Sequence, residues 1–324
     1  MNTKITVVIP TYKRPQLLER CLLALLRQKF NKREYEIIVV SDGPDMVTRQ
    51  LIEKIAKGRA TNLRYLSLLV KKGPAAARNY GWLNARGRII AFTDDDCLPD
   101  KNWLKEIFNN IQSVNFEAAI TGRVIVLPGN RPAEYEQSIG GLETADFIMA
   151  NSACTKAALI KVGGFDEQFN TAWREDSDLE FKLISENIPV KNVESAIVVH
   201  PVRQARWGES VKEQKKTLYN ALLYKKFPQL YRQKIQPYPP VLYYAIIIAF
   251  MLMLIGYSMQ MRSLAVMGFY AWIFLTFNFI VSRLFETRLS AGLIIEMIAT
   301  SFIIPFVSIY WQWYGAIKYK VLFI

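Results

Sequence analysis

The chain holds one histidine, His200, and three cysteines, Cys21, Cys97 and Cys154, among its 324 residues. No two cysteines stand at a metal-ligand spacing, and an odd, scattered set suits a reducing compartment better than a disulfide framework. The Gly-x-Gly-x-x-Gly run that follows the first strand of a dinucleotide fold is absent, which argues against NAD or FAD. Charge is lacking altogether in 235–261, in 263–282 and in 297–317. Each stretch is close to the ~20 residues that cross a bilayer core, and the run 244–255 offers no polar face to water. Three membrane segments are therefore expected, at about 238–259, 263–282 and 295–315. The short link 259–263 predicts a tight antiparallel hairpin for the first two. The third could instead be re-entrant, because an odd number of spans puts Lys318 and Lys320 outside, against the positive-inside rule. A signal-peptide pattern is missing as well: residues 1–12 carry one lysine and then Ile5-Thr6-Val7-Val8-Ile9, too brief for a signal's apolar core. Residues up to about 235 are expected in the cytosol.

What is present is apolar and basic. Hydrophobic residues make up 51% of the chain and the net charge is +13. Between 203 and 234 there are nine Lys/Arg and two Glu, directly before the first apolar stretch. Such a connector is drawn to anionic cytoplasmic lipid by ~1 kcal/mol per residue, so the basic balance points to a membrane surface rather than to nucleic acid. Three parts follow: 1–200, an α/β domain in which apolar strands alternate with amphipathic helices; 201–236, the basic connector; and 237–324, a membrane domain. Strands are expected at 5–9, 36–40, 63–68, 89–92, 118–126 and 196–199. Helices are expected at 16–28, 45–57, 73–84, 103–113 and 176–186.

Chemistry concentrates at the strand ends. Asp94-Asp95-Asp96 follow the apolar run 89–92. Three carboxylates packed there repel, and one must take a proton unless a cation sits among them. Hard carboxylate oxygens suit Mg²⁺ or Mn²⁺, which keep open positions for phosphate oxygens, although a solvated acidic turn would read the same. The first strand runs into Pro10-Thr11-Tyr12, where Tyr12 can stack on a base and Thr11 can bond its edge. Asp42 ends the second strand, where an acid can accept from a ribose or base. Arg78 follows the small residues 73–77 at a helix start, a place that welcomes anions. Glu175, Asp176 and Asp178 open a helical pattern, as caps do, yet a carboxylate there can also take a proton from a hydroxyl. His200 follows the last strand and is a plausible metal ligand.

In order, Ile9-Pro10-Thr11-Tyr12, Ser41-Asp42-Gly43, Gly73 to Arg78-Asn79, Asp94-Asp95-Asp96, Gly163-Gly164-Phe165-Asp166-Glu167 and Glu175-Asp176-Ser177-Asp178 resemble the motifs of glycosyltransferase family 2, inverting enzymes of the GT-A fold. The resemblance covers residues 5 to about 200. It implies a mixed, mostly parallel sheet that binds a UDP- or GDP-linked sugar. Nucleotide-sugar contacts then fall to Pro10, Thr11, Tyr12, Asp42, Arg78, Asp94 and Asp95. Metal ligation falls to Asp96 and His200, with Mg²⁺ or Mn²⁺ as the ion. Asp176 matches the general base, and Glu175 its neighbour. The membrane synthases of the family carry Gln-x-x-Arg-Trp, whereas Gln204-Ala205-Arg206-Trp207 is one residue short, and three segments are few for a polymer channel. Single sugar addition to a lipid-linked glycan at the cytoplasmic face is thus expected. Rivals are a polyprenyl-phosphate sugar synthase and a catalytically silent sugar-nucleotide-binding scaffold. The loop 126–146, which would shape the donor pocket, is not readable.

Overall fold

A computed structural model describes residues 3–57, 63–112, 116–127, 146–201, 206–285 and 291–323. The loop 128–145, and Gln204 and Ala205 of the connector, lie outside the described residues. The chain divides into two compact units, the first ending at Val202 and the second comprising mainly Arg203 onward.

The first unit is an eight-stranded mixed sheet. Its strands are β1 (Ile5–Thr11), β2 (Tyr35–Ser41), β3 (Leu63–Ser67), β4 (Ile89–Phe92), β5 (Leu98–Pro99), β6 (Ala119–Leu127), β7 (Ser152–Thr155) and β8 (Val190–Pro201), in the order β3-β2-β1-β4-β7-β6-β8-β5. Pairings from β3 through β4 are parallel; β7 is antiparallel to both neighbours, and β8 runs parallel to β6. β1 and β2 are buried at every position, as expected of strands covered on both faces. Alternation divides them. Ile5, Val7 and Ile9 pack beneath α1 (Pro15–Leu26), α2 (Met46–Lys57) and α4 (Trp103–Gln112). Val8, Ile38 and Val40 pack beneath α3 (Pro74–Leu83), α5 (Lys156–Val162) and α6 (Glu175–Ser185). Gly81 lets α3 lie against β1: a Cβ there would stand 2.4 Å from Val8 Cγ1.

The chain runs from β1 outward to β3 and then returns to the far side of β1 as β4. Strand order reverses there, which opens a crevice at the carboxyl ends of β1 and β4, the place where open α/β sheets bind ligands. Several elements differ from expectation. β7, β5 and α5 have no strong apolar signature, since Ser152 and Thr155 bracket β7. β8 begins at Val190, six residues before the expected strand, because its first half is a polar stretch exposed on both sides of Val193.

In the second unit, α7 (Glu209–Glu213), α8 (Leu218–Lys226) and α9 (Pro228–Lys234) carry the basic connector. α10 (Val241–Ser258) and α11 (Arg262–Phe285) are long and apolar enough to cross a membrane. They form the expected hairpin: Cβ atoms at Gly256 and Gly268 would strike the backbone of Ala265 and Met253, at 2.4 Å each, so small residues let the two backbones meet. The third apolar stretch, expected at 295–315 as a span or a re-entrant segment, is broken into two helices, which fits either a broken span or a re-entrant loop. They are α12 (Ala291–Ser301) and α13 (Ile304–Tyr319), bent by 50°. Pro305 lies in the first turn of α13, where it has no N–H to continue the preceding helix.

Candidate active site

The ends of β1, β2 and β4 and the starts of α3 and α6 supply the site. β1 delivers Thr11, β2 delivers Asp42, α3 carries Arg78 in its second turn, and β4 feeds the acidic triplet. The three acids do not share one environment. Asp95 turns inward across the switch point: the Thr11 hydroxyl donates to its Oδ2 at 2.7 Å, and Arg14 Nη1 lies 3.4 Å from its Oδ1. Burial pushes the Asp95 carboxyl up to about 6, Arg14 and Thr11 pull it back, and Asp96 and Asp94 add to the rise. Asp94 is the outward acid, its side chain 32% exposed, and Arg78 Nη2 donates to its Oδ1 at 2.8 Å. Asp96 is buried, with His200 Nε2 3.8 Å from its Oδ1.

Arg78 is buried and double-ended. Its Nη2 meets Asp94, and its Nη1 lies 3.0 Å from Glu175 Oε1. Burial pushes the Glu175 carboxyl up to about 7, the charge of Asp176 adds to the rise, and Arg78 opposes it. Asp176, half-buried, accepts from the Ser177 N–H at 2.7 Å, which fixes one oxygen at the first turn of α6. Asp178 turns away into the core beside Lys182, at 3.0 Å.

Asp42 is committed to backbone. Its Oδ1 accepts from Lys72 N at 2.7 Å and from Gly73 N at 3.0 Å, and its Oδ2 also takes the Gly73 N–H. That clamp holds the turn into α3, where Gly73 has φ 98° and a Cβ would stand 2.2 Å from Asn170 O. Tyr12 stays accessible, with Lys71 Nζ 4.1 Å from its ring centroid. Pro10 lies within β1, paired with Val40. A second clamp, which motif matching names but gives no role, is Asn79. Its amide donates to Phe165 O at 2.9 Å and to Glu167 Oε1 at 3.1 Å, while its Oδ1 accepts from Phe165 N at 3.0 Å and Trp82 Nε1 at 2.9 Å. It joins α3 to the Gly163-Gly164-Phe165 turn, so the segment leading to Glu175 is anchored to the helix that carries Arg78.

The donor set fits a divalent ion. Ligand atoms of Asp94, Cys97 and His200 all lie within 4.8 Å of one another, and Asp96 stands beside His200. Carboxylate oxygens suit Mg²⁺ or Mn²⁺, and the imidazole extends the fit to softer divalent ions. The Cys97 thiol belongs to the hydrophobic core, and burial, followed by the charges of Asp94 and Asp96, pushes its pKa well above the ordinary range. Sequence spacing brought Asp94, Asp96 and His200 forward but not Arg14 or Cys97. Arg14 carried a signal only as a cation just after the first strand.

A family model described as Glycosyl transferase family 2 matches residues 6–171. Glycosyltransferase AglE of Haloferax volcanii is 31% identical over 113 residues, 35% of this chain and 37% of AglE. The Campylobacter jejuni GalNAc(5)-diNAcBac-PP-undecaprenol beta-1,3-glucosyltransferase is 27% identical over 183 residues, 51% of this chain and 56% of that protein. The chain thus spans less than two thirds of the length of these curated relatives. The mannosyltransferase PcManGT from Pyrobaculum calidifontis, solved in complex with GDP-Man and Mn²⁺, superposes with a TM-score of 0.57 at 16% identity, over 99% of this chain and 88% of that one. That likeness establishes the fold.

Proposed function

Because the chain belongs to glycosyltransferase family 2, we propose that it moves one sugar from a UDP- or GDP-linked donor to a hydroxyl of a lipid-linked glycan, with inversion, at the cytoplasmic face of a membrane. The observation that carries this reading is the single arginine, Arg78, that ties the acid of the nucleotide side, Asp94, to the acid beside the base, Glu175. The GDP-Man complex of PcManGT and the undecaprenol-linked substrate named for the Campylobacter jejuni relative support donor and acceptor classes. The apolar helices α10 and α11 support the membrane setting.

Each residue has a task in this reading. Tyr12, the exposed residue of that junction, receives the base, Thr11 is committed to Asp95, and Asp42 shapes the turn that approaches the ribose. Mg²⁺ or Mn²⁺ held by Asp94, Asp96 and His200 supplies, when bound, positive charge for the departing diphosphate. Asp176 takes the proton of the acceptor hydroxyl as that oxygen bonds to the anomeric carbon. The carbon–oxygen bond to the nucleoside diphosphate breaks on the opposite face, so configuration inverts. Glu175 and Arg78 hold α6, and with it Asp176, in place against the donor side.

The test compares acceptors. With Mn²⁺ and a panel of UDP- and GDP-sugars, transfer to a polyprenyl-linked glycan should exceed transfer to the same glycan freed of its lipid. Equal turnover on both would reject the lipid-linked acceptor, and absence of metal-dependent nucleotide release with every donor would reject catalysis.

A further inference from the structure

The first turn of α2 and the turn that leaves β3, at the crevice edge of the sheet, expose large apolar side chains that sugar transfer does not use. Leu69 is 91% exposed, Met46 and Val47 62% each, and Val70 59%. The turns lie side by side on a fixed base. Gly43 abuts the backbone of the second turn, since a Cβ built there would stand 3.5 Å from Lys71 N and 3.8 Å from the Val70 carbonyl carbon. The Ser67 hydroxyl donates to Gly43 O at 3.0 Å, and the Tyr65 hydroxyl to Asp45 O at 3.1 Å. The apolar side chains thus stand on a hydrogen-bonded scaffold.

Cations flank them. Lys71 and Lys13 reach over the Tyr12 ring, at 4.1 and 5.5 Å from its centroid, and Lys72 follows in the same turn. Among the described residues, none of these three lysines forms a salt bridge. Exposed apolar side chains gathered beside unneutralised cations are the composition of a surface that rests in a membrane interface.

We propose that this rim docks on the anionic headgroup layer of a bilayer, with Met46, Val47, Leu69 and Val70 entering the interface and Lys13, Lys71 and Lys72 at phosphate level. Charge selects this occupant, since three cations suit acidic lipid. The chain also carries two helices long and apolar enough to cross a membrane, which keep a bilayer at high local concentration. To that extent the proposal rests on the membrane setting above. Thr11 and the acidic triplet share the same sheet edge, so docking would hold the donor at the level where a lipid-linked hydroxyl arrives.

The full chain in lipid nanodiscs tests this. Cys21, Cys97 and Cys154 are 0% exposed, so a bimane label goes to a single introduced thiol, Leu69→Cys, with Val47→Cys as a second site. Ile160→Cys on α5, 64% exposed at the opposite edge of the sheet, is the reference. Nitroxide-bearing lipids should quench the labels at 69 and 47 several-fold more than the label at 160. The difference should shrink in neutral lipid, in molar salt, and in Lys71→Glu/Lys72→Glu. Equal quenching at 69 and 160, or quenching indifferent to lipid charge, would overturn the docking. Shielding that instead grows with protein concentration in detergent would assign the rim to a second copy and also overturn it. Recovery of the chain in the disc fraction reports the membrane setting separately: empty discs overturn both, and loaded discs with an unquenched residue 69 overturn the docking alone.

Discussion

Arg78 and Glu175 form an ion pair of 3.0 Å whose two side chains are only 3% and 5% exposed. Removing Arg78 takes the shared cation from Glu175 and Asp94; Glu175, already at about 7, then takes up a proton in the dry interior, so the loss falls below the about 3–5 kcal/mol of a stranded buried charge. Arg78→Gln should still lower the thermal unfolding temperature, and Arg78→Gln/Glu175→Gln should recover most of the loss. A double variant no more stable than the single one would show that the pair is not coupled.

The pH dependence follows from Glu175. Its carboxyl sits at about 7, against an ordinary 4.5, through burial first and the charge of Asp176 second. Between those two values the folded protein holds more protons than the unfolded chain. Stability from this group is thus complete below the ordinary value and is lost as pH rises through about 7. Thermal scans from pH ~5 to ~8 should show a decline in the wild type that is smaller in Glu175→Gln.

The acidic triplet separates by role. Asp95 is spent on Thr11 and Arg14, while Asp94 and His200 offer ligand atoms within 4.8 Å of each other and of Cys97, and Asp96 lies 3.8 Å from His200. Asp96→Asn and His200→Ala should raise the Mn²⁺ concentration needed for nucleotide-sugar binding ~10-fold or more. Asp95→Asn should leave that titration nearly unchanged, and a metal titration followed by donor affinity distinguishes them.

Asp176→Asn should cut transfer to a hydroxyl acceptor by about 10²–10⁴ while donor affinity stays within error. On a polyprenyl phosphate acceptor, already ionised, the same variant should keep most of its rate. Comparable losses on both acceptors would mean that Asp176 does not act as a base.

Legibility tracked burial and chain distance. β1, β2 and β4 were readable because covering on both faces demands an unbroken apolar run, and Asp94 to Asp96 because three adjacent acids are conspicuous. β7 was not, since its hydroxyl residues find their partners only in the fold: Thr155 Oγ1 accepts from the N–H groups of Ala158 and of Ala118, 37 residues away, both at 3.2 Å. The first half of β8 was hidden by polar residues at an irregular register beside Gly122. Which acid of the triplet turns inward depends on Thr11, 84 residues away, and the partner of Arg78 stands 97 residues on. A linear pattern carries neither relation. The break before Pro305 has a cause in that proline, yet 297–317 reads as one uncharged run.

The reversal of strand order at β1 also governs when the chain can first do anything. β1 becomes an inner strand, and its neighbour on the crevice side is made only after some eighty further residues. A nascent chain halted before Asp95 has Tyr12 and Asp42 but no facing wall. Halted before Glu175, it leaves the arginine of α3 buried beside an empty seat. Ligand capture by stalled chains of increasing length should therefore switch on late and abruptly, which makes substrate affinity a sensor of completed long-range pairing rather than of local helix or strand formation.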